Sequence, residues 1–136
     1  MRHLCDKAGR GDILIESAGT HGYHTGSRPD RRAMETAFAR GVSMAGQAAR
    51  PVQKDDFERF DLILAMDNGH RTHLEQMKPP GSKARVEMFM DYDPAGPKGR
   101  DVPDPYYGAD RGFEEVLDMV FAACTGLLHK MNSERP

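Results

Sequence analysis

Residues 61–66 read DLILAM and give the strongest strand pattern in the chain. Five apolar residues follow Asp61 without interruption, which is typical of a strand buried on both faces of a parallel sheet. A short turn opened by Asp55 or Asp56 comes just before it. We therefore expect this strand at or near the centre of a sheet.

The residues after this strand predict a helix and then a second strand. Asn68 to Met77 has the pattern of a polar helix, and the Pro-Pro-Gly sequence at 79–81 ends it. Its inward residues are expected to be Leu74 and Met77. The alternation that indicates the next strand places Val86, Met88 and Met90 opposite Glu87 and Phe89.

Three further elements are expected towards the amino terminus. Arg2 to Ala8 predicts the end of a helix, with Leu4 inward and a stop at Gly9 to Gly11. Ile13 to Ile15 is a short β-branched run that predicts a second buried strand. A helix capped by Asp30 and ended by Gly41 follows, and its inward face carries Met34, Ala37 and Phe38.

The last element is a long amphipathic helix behind Asp110. Its apolar residues recur at steps of three and four: Phe113, Val116, Leu117, Val120, Phe121, Cys124, Leu127 and Leu128. Strands that alternate with helices predict an α/β fold with a parallel sheet between helices. The length of 136 residues fits a single domain over 1–136.

Composition limits the class of protein. Lys and Arg number 19 against 21 Asp and Glu, and the net charge of −2 gives no reason to expect a nucleic acid or an anionic membrane as partner. No apolar run approaches the roughly 20 residues that cross a bilayer, and no signal peptide pattern is present. We expect a soluble, cytoplasmic chain in which Cys5 and Cys124 are reduced thiols.

The loop from Asp91 to Gly108 is the main candidate for chemistry. It holds four prolines and ends in DVPDPYYG at 101–108, where a carboxylate stands between two prolines and precedes two tyrosines. Such a rigid Asp suits a general acid, because nearby rings favour its protonated form. On spacing alone, the favoured interpretation is an Asx-type turn with two tyrosines packed on the surface.

Several blocks in the same order give these residues a context. They are ESAGT at 16–20, PDRRA at 29–33, DFERFDLILAMD at 56–67, VPDPYYG at 102–108 and GFEEVL at 112–117. With these blocks the chain resembles the low-molecular-weight protein tyrosine phosphatases from Arg2 to about Leu128. The resemblance implies a small three-layer α/β sandwich with a four-stranded parallel sheet, and hydrolysis of a phosphotyrosine protein or a small aryl phosphate without metal or cofactor.

The same resemblance assigns roles to individual residues. Asp104 becomes the general acid that protonates the departing tyrosyl oxygen. Tyr23 becomes one aromatic side of the substrate crevice, and Tyr106 and Tyr107 form the facing wall. Asp67 is either a support for this site or a helix cap.

The chain departs from the family in one respect that matters for catalysis. The family begins with an inner strand and a CxxxxxR phosphate loop, which supplies the thiolate nucleophile and grips the phosphate. Here Arg10 comes one residue too early after Cys5, and no arginine lies within reach after Cys124. We expect that the inner strand and the loop are missing and that this chain is inactive by itself.

A missing inner strand would leave unpaired backbone on both sides of a gap. We therefore expect self-association, with an intertwined homodimer as one form. A non-catalytic binding or self-associating protein of the same family remains the alternative function. Arsenate reduction on this fold is the least favoured reading, because it needs further redox cysteines and only Cys124 is near the carboxyl side.

Other patterns favour ordinary structure. The glycines at 19, 22 and 26 lack the GxxxxGK[ST] spacing of a phosphate-binding loop. The histidine pairs His21 with His24 and His70 with His73 lack further ligands at metal-site spacing. We expect a glycine-rich loop, solvent-facing or capping histidines, and no metal.

Overall fold

A computed structural model of the chain describes residues 1–19, 31–43, 50–103 and 111–133, apart from the side chains of residues 32, 111 and 113. The helices, in chain order, are α1 (Arg2–Lys7), α2 (Arg31–Ala39), α3 (Asp56–Arg59), α4 (Asn68–Met77) and α5 (Arg111–Ser133). A 3₁₀ turn spans Phe89–Tyr92. The expected caps Asp30 and Asp110 lie outside the described residues.

Two parallel strands form the sheet of the described residues. They are β1 (Leu62–Ala65) and β2 (Arg85–Met88), with Leu62 opposite Arg85 and Ala65 opposite Met88. Two parallel strands require a long connection between them, and the connection here contains α4. The strand predicted from DLILAM is therefore confirmed.

One face of the sheet is covered by α3 and α4. Side chains that alternate along β1 point to opposite faces, and Ile63 and Ala65 point to this one. The core of this layer consists of Phe57, Ala65, Leu74, Ala84 and Met88. The prediction that Leu74 and Met77 face inward is confirmed, because Leu74 is buried and Met77 packs against this core.

The opposite face is covered by α5, which also contacts α1, α2 and the 3₁₀ turn. Leu64 of β1 packs here against a core made of Phe89, Met90, Ala123 and Cys124. Leu4 packs against the same core, as predicted. Helices thus lie on both faces of a parallel sheet, which confirms the α/β fold class.

The prediction of a buried strand at residues 13–15 is wrong. No strand forms there among the described residues, and the Leu14 side chain is 65% exposed. A strand forms only beside a partner with matching donors and acceptors. Here the carbonyl oxygen of Ile15 instead accepts from the guanidinium of Arg2, at 3.0 Å from Nε. Four residues further along the chain, Gly19 forms an isolated parallel bridge with Pro51.

Two smaller expectations also need correction. Phe38 does not face inward with Ala37, because it is 74% exposed while Ala37 is 3% exposed. Adjacent helical residues differ by about 100° in direction, so α2 buries Ala37 and turns Phe38 outward. The second strand is shorter than expected and ends at Met88. The chain then turns as a 3₁₀ helix, which buries the consecutive residues Phe89 and Met90.

The remaining helix predictions agree with the structure. Helix α1 ends before Gly9, whose φ of 69° favours glycine, and α2 ends before Gly41, whose φ is 82°.

Among the described residues, no helix has the length and apolar character that crossing a membrane requires.

Candidate functional site

The long loop after β2 returns to the carboxyl end of β1. The backbone N–H of Val102 donates to the carbonyl oxygen of Met66 at 2.7 Å. The Val102 side chain packs against the core between the sheet and α5. In parallel α/β sheets, ligands bind at this edge, so these contacts place the base of the loop at the expected site.

Helix α4 begins at the same edge. Asp67 is its N-cap residue and accepts from the backbone N–H of His70 at 2.7 Å. This bond satisfies one of the donors that the first helical turn leaves unpaired. The structure therefore supports the reading of Asp67 as a helix cap.

A second carboxylate reaches the start of α4 from the loop. Oδ1 of Asp101 accepts from both the backbone N–H and the side-chain Nδ2 of Asn68, each at 2.8 Å. Nδ2 of Asn68 also donates to the carbonyl oxygen of Gly99 at 3.0 Å. A carboxylate is stabilised at this position by the positive end of the helix dipole. We call these three bonds the Asn68–Asp101 clip.

The loop is also braced from within. Asp91 accepts from the backbone N–H of Gly99 at 2.6 Å. The buried carboxylate of Asp93 pairs with Arg100 and accepts from the backbone N–H of Ala95 at 3.0 Å. A Cβ at Gly96 would meet the Arg100 guanidinium, so a side chain there would displace this flexible group from its present position. The proline-rich stretch before residue 104 is therefore fixed by carboxylates.

The segment that ends at Gly19 has its own anchor. Gly19 donates to the carbonyl oxygen of Arg50 and accepts from Val52, both at 2.8 Å. Glu16, three residues before Gly19, pairs with Arg59 at 2.9 Å. Sequence patterns do not reveal this ion pair, since 43 residues separate its partners.

Asp56 completes this ionic cluster. Its side chain is 5% exposed, accepts from Arg50 at 3.0 and 3.1 Å, and accepts from the backbone N–H of Gln53 at 2.8 Å. Burial alone would raise the pKa of Asp56, but the Arg50 and Gln53 hydrogen bonds and the charges of Arg50 and Arg59 lower it overall. Asp56 therefore stays ionised and joins α3 to the segment before β1.

The predicted site residues Asp104, Tyr23, Tyr106 and Tyr107 lie outside the described residues. The structure does describe the residues that precede them in the chain. Gly19 comes before Tyr23, and the Asn68–Asp101 clip comes before Asp104. The two histidines of α4 have different surroundings. The backbone N–H of His70 donates to the N-cap residue Asp67, whereas His73 lies one turn further along the helix and is half-buried. His21 and His24 also lie outside the described residues.

Neither cysteine has the surroundings of an activated thiolate. Cys5 in α1 is 2% exposed and Cys124 in α5 is 3% exposed. Burial raises the pKa of both thiols, which disfavours the nucleophilic thiolate. Arg10 does not offer its guanidinium to a phosphate near Cys5, since it pairs with Asp12 at 3.0 Å and with Asn132.

A cavity of about 940 Å³ lies elsewhere among the described residues. Its lining comes from β2, the loop at 91–98 and the second half of α5, together with Arg71. Residues of the Asn68–Asp101 clip do not line it. The site at the end of β1 is therefore defined by backbone anchors and capping carboxylates, not by this cavity.

A parallel sheet between helices, with a loop fixed at the carboxyl end of β1, defines an α/β protein, and the comparisons name its family. The family model described as low molecular weight phosphotyrosine protein phosphatase matches residues 1–136. The chain belongs to this family.

Relatives support the assignment along nearly the whole chain. A low molecular weight protein-tyrosine-phosphatase of Streptomyces coelicolor is 44% identical over an alignment of 131 residues, which covers 94% of this chain and 79% of that protein. The crystal structure of YfkJ from Bacillus subtilis is 34% identical, with a TM-score of 0.88 over 99% of this chain and 84% of that one. A protein tyrosine phosphatase from Entamoeba histolytica is 32% identical, with a TM-score of 0.88 over 97% and 84%.

Proposed function

We propose that the chemistry of this fold is the hydrolysis of phosphotyrosine monoesters, with Asp104 as general acid. Family membership supports the reaction class, and the anchored loop base at the carboxyl end of β1 supports the role of the residue that follows it. In this reaction a cysteine thiolate attacks phosphorus, the bond to the tyrosyl oxygen breaks, and the acid donates a proton to that oxygen. Water then hydrolyses the cysteinyl phosphate.

Three tyrosines complete the proposed substrate crevice. Tyr23 forms one aromatic side, and Tyr106 and Tyr107 form the other. Stacked rings would hold the flat phenol ring of the substrate and lower the polarity around the acid. The expected substrate is a phosphotyrosine protein or a small aryl phosphate.

We also propose that the 136-residue chain does not catalyse this reaction alone. It contains two cysteines, and both are buried thiols whose pKa is raised by burial. The inner strand and the CxxxxxR loop would therefore have to come from residues outside this sequence. A general acid contributes about 10² to 10⁴-fold to a rate but cannot replace the nucleophile.

An assay with p-nitrophenyl phosphate tests both statements. The chain is compared with an extended form, in which an apolar strand and a CxxxxxR loop of the family pattern precede Met1. We expect turnover only in the extended form, and a loss of about 10²-fold in kcat for its Asp104→Asn variant, the low end of what a general acid contributes because the nitrophenolate leaving group needs the proton less. If the extended form folds and stays inactive, the function is wrong. Turnover by the 136-residue chain would refute its proposed inactivity.

One observation favours a second role, self-association. Leu62, Ile63 and Leu64 of β1 are only half-buried, and within the described residues β1 pairs with β2 alone. Strands of parallel sheets are normally buried on both faces and paired on both edges. We propose that this edge pairs with a second copy in a homodimer, and that such a dimer is the non-catalytic alternative to the phosphatase.

Light scattering coupled to size-exclusion chromatography measures this directly. A dimer mass at micromolar concentration supports the proposal, and a monodisperse monomer overturns it. We further propose a single domain and a cytoplasmic location, which the two unpaired thiols support because reduced cysteines are typical of reducing compartments.

A further inference from the structure

The Asn68–Asp101 clip does more than a helix cap requires. Asp67 already caps α4 by accepting from the N–H of His70. Nδ2 of Asn68 bonds both Asp101 and the carbonyl oxygen of Gly99, and neither bond satisfies a helix donor. These bonds join two points of the loop to the first residue of α4.

The clip lies directly before the proposed acid. Val102 follows it, with its N–H bonded to Met66 and its half-buried side chain packed against the core. Pro103 then separates Val102 from Asp104 in the sequence. Proline fixes its own φ and restricts the residue before it, so few backbone torsions between the clip and Asp104 are left unrestricted.

We propose that Asn68 and Asp101 are positioning residues for the general acid, an inference that rests on the proposed phosphatase function. Proton transfer to the leaving oxygen requires a distance of about 2.6 to 3.2 Å, and a displacement of about 1 Å can cost 10²-fold in rate. The clip holds the residues before Asp104 at the carboxyl end of β1, the edge where parallel α/β sheets bind their ligands.

The structural part of this proposal is tested on the 136-residue chain by hydrogen exchange. Asp101→Ala removes the acceptor of two bonds, and we expect the Val102 amide to exchange at least about tenfold faster. The matched control is Glu75→Gln, which breaks an exposed ion pair with Arg71 on the same helix and should change that rate less than about twofold. Equal protection of Val102 in both variants overturns the proposal.

The catalytic part is tested in the extended form with two substrates. Phenyl phosphate has a poor leaving group and needs the proton, whereas p-nitrophenyl phosphate depends on it less. We expect Asp101→Ala to lower kcat about tenfold for phenyl phosphate and about twofold for p-nitrophenyl phosphate. Asp101→Asn keeps the Oδ1 acceptor and should restore most of the loss.

The outcomes separate the two proposals. An equal loss with both substrates, or no loss with either, overturns the positioning role while the phosphatase function stands. An extended form that is folded and inactive overturns the function and the catalytic part of this inference. The exchange rates then still decide whether the clip holds the loop.

Discussion

Residues 93–103 and residues 11–18 both lack helix and strand, but they are held in different ways. In the first segment, carboxylates of Asp91, Asp93 and Asp101 accept hydrogen bonds from the loop or from α4. In the second, the apolar side chain of Leu14 is exposed, and an arginine side chain bonds the carbonyl oxygen of Ile15. Both segments are therefore fixed through polar groups: by carboxylates in the first, and in the second by arginine side chains that bind Ile15 and Glu16. The exposed side chain of Leu14 adds no burial.

The largest loss of stability is expected at the ion pair between the buried Asp93 and the partly exposed Arg100. Asp93→Ala leaves the Arg100 guanidinium without its partner, and we expect a loss of about 3 kcal/mol in the free energy of unfolding. Urea denaturation measures it. Combining Asp93→Ala with Arg100→Met should recover part of the loss, because the uncompensated charge is gone. A single-variant loss below about 0.5 kcal/mol would mean that the carboxylate does not hold the loop.

A smaller loss of stability is expected in the ionic cluster beside residues 11–19, which consists of Glu16, Arg50, Asp56 and Arg59. Asp56→Asn should cost about 2 kcal/mol, since it weakens charge-assisted bonds to a partly exposed arginine. The wild-type pKa of Asp56 is lowered in the folded state, so its stabilisation is present above the unfolded pKa, near 3.9, and is lost as the pH falls through the lower folded value. Unfolding at stepped acidic pH should show a shallower decline for Asp56→Asn. Parallel curves would contradict this.

The smallest expected effect is at Leu14. Leu14→Ser should change the free energy of unfolding by less than about 0.5 kcal/mol, because the side chain is already exposed. A leucine in a buried strand would cost several times more on truncation. Thermal unfolding of the separated monomer distinguishes the two. A loss above about 2 kcal/mol would restore the strand that the sequence predicts.

The elements with long, regular patterns were predictable from the sequence. DLILAM, the helix before Pro79 and the apolar repeat of α5 each agree with the structure. The structure of residues 13–15 could not be predicted in this way, because three apolar residues do not reveal whether a partner strand lies beside them. The 3₁₀ turn after Met88 was missed because an alternating pattern cannot show where the backbone leaves the sheet.

The site was predictable in a different sense. The general acid and the three tyrosines stay predictions, since they lie outside the described residues. The Asn68–Asp101 clip was missed because its partners are 33 residues apart and each has an ordinary local role. A proline-framed Asp signals a rigid loop, but the residues that fix such a loop become visible only when the chain has folded.

The burial of Cys5 and Cys124 has a practical consequence for the folded chain. An alkylating reagent reaches either sulfur only after α1 or α5 has moved away from its neighbours. The rate at which iodoacetamide labels these two positions therefore reports how often α1 and α5 open locally. Cys5 and Cys124 thus act as two built-in probes of local unfolding, one near each terminus.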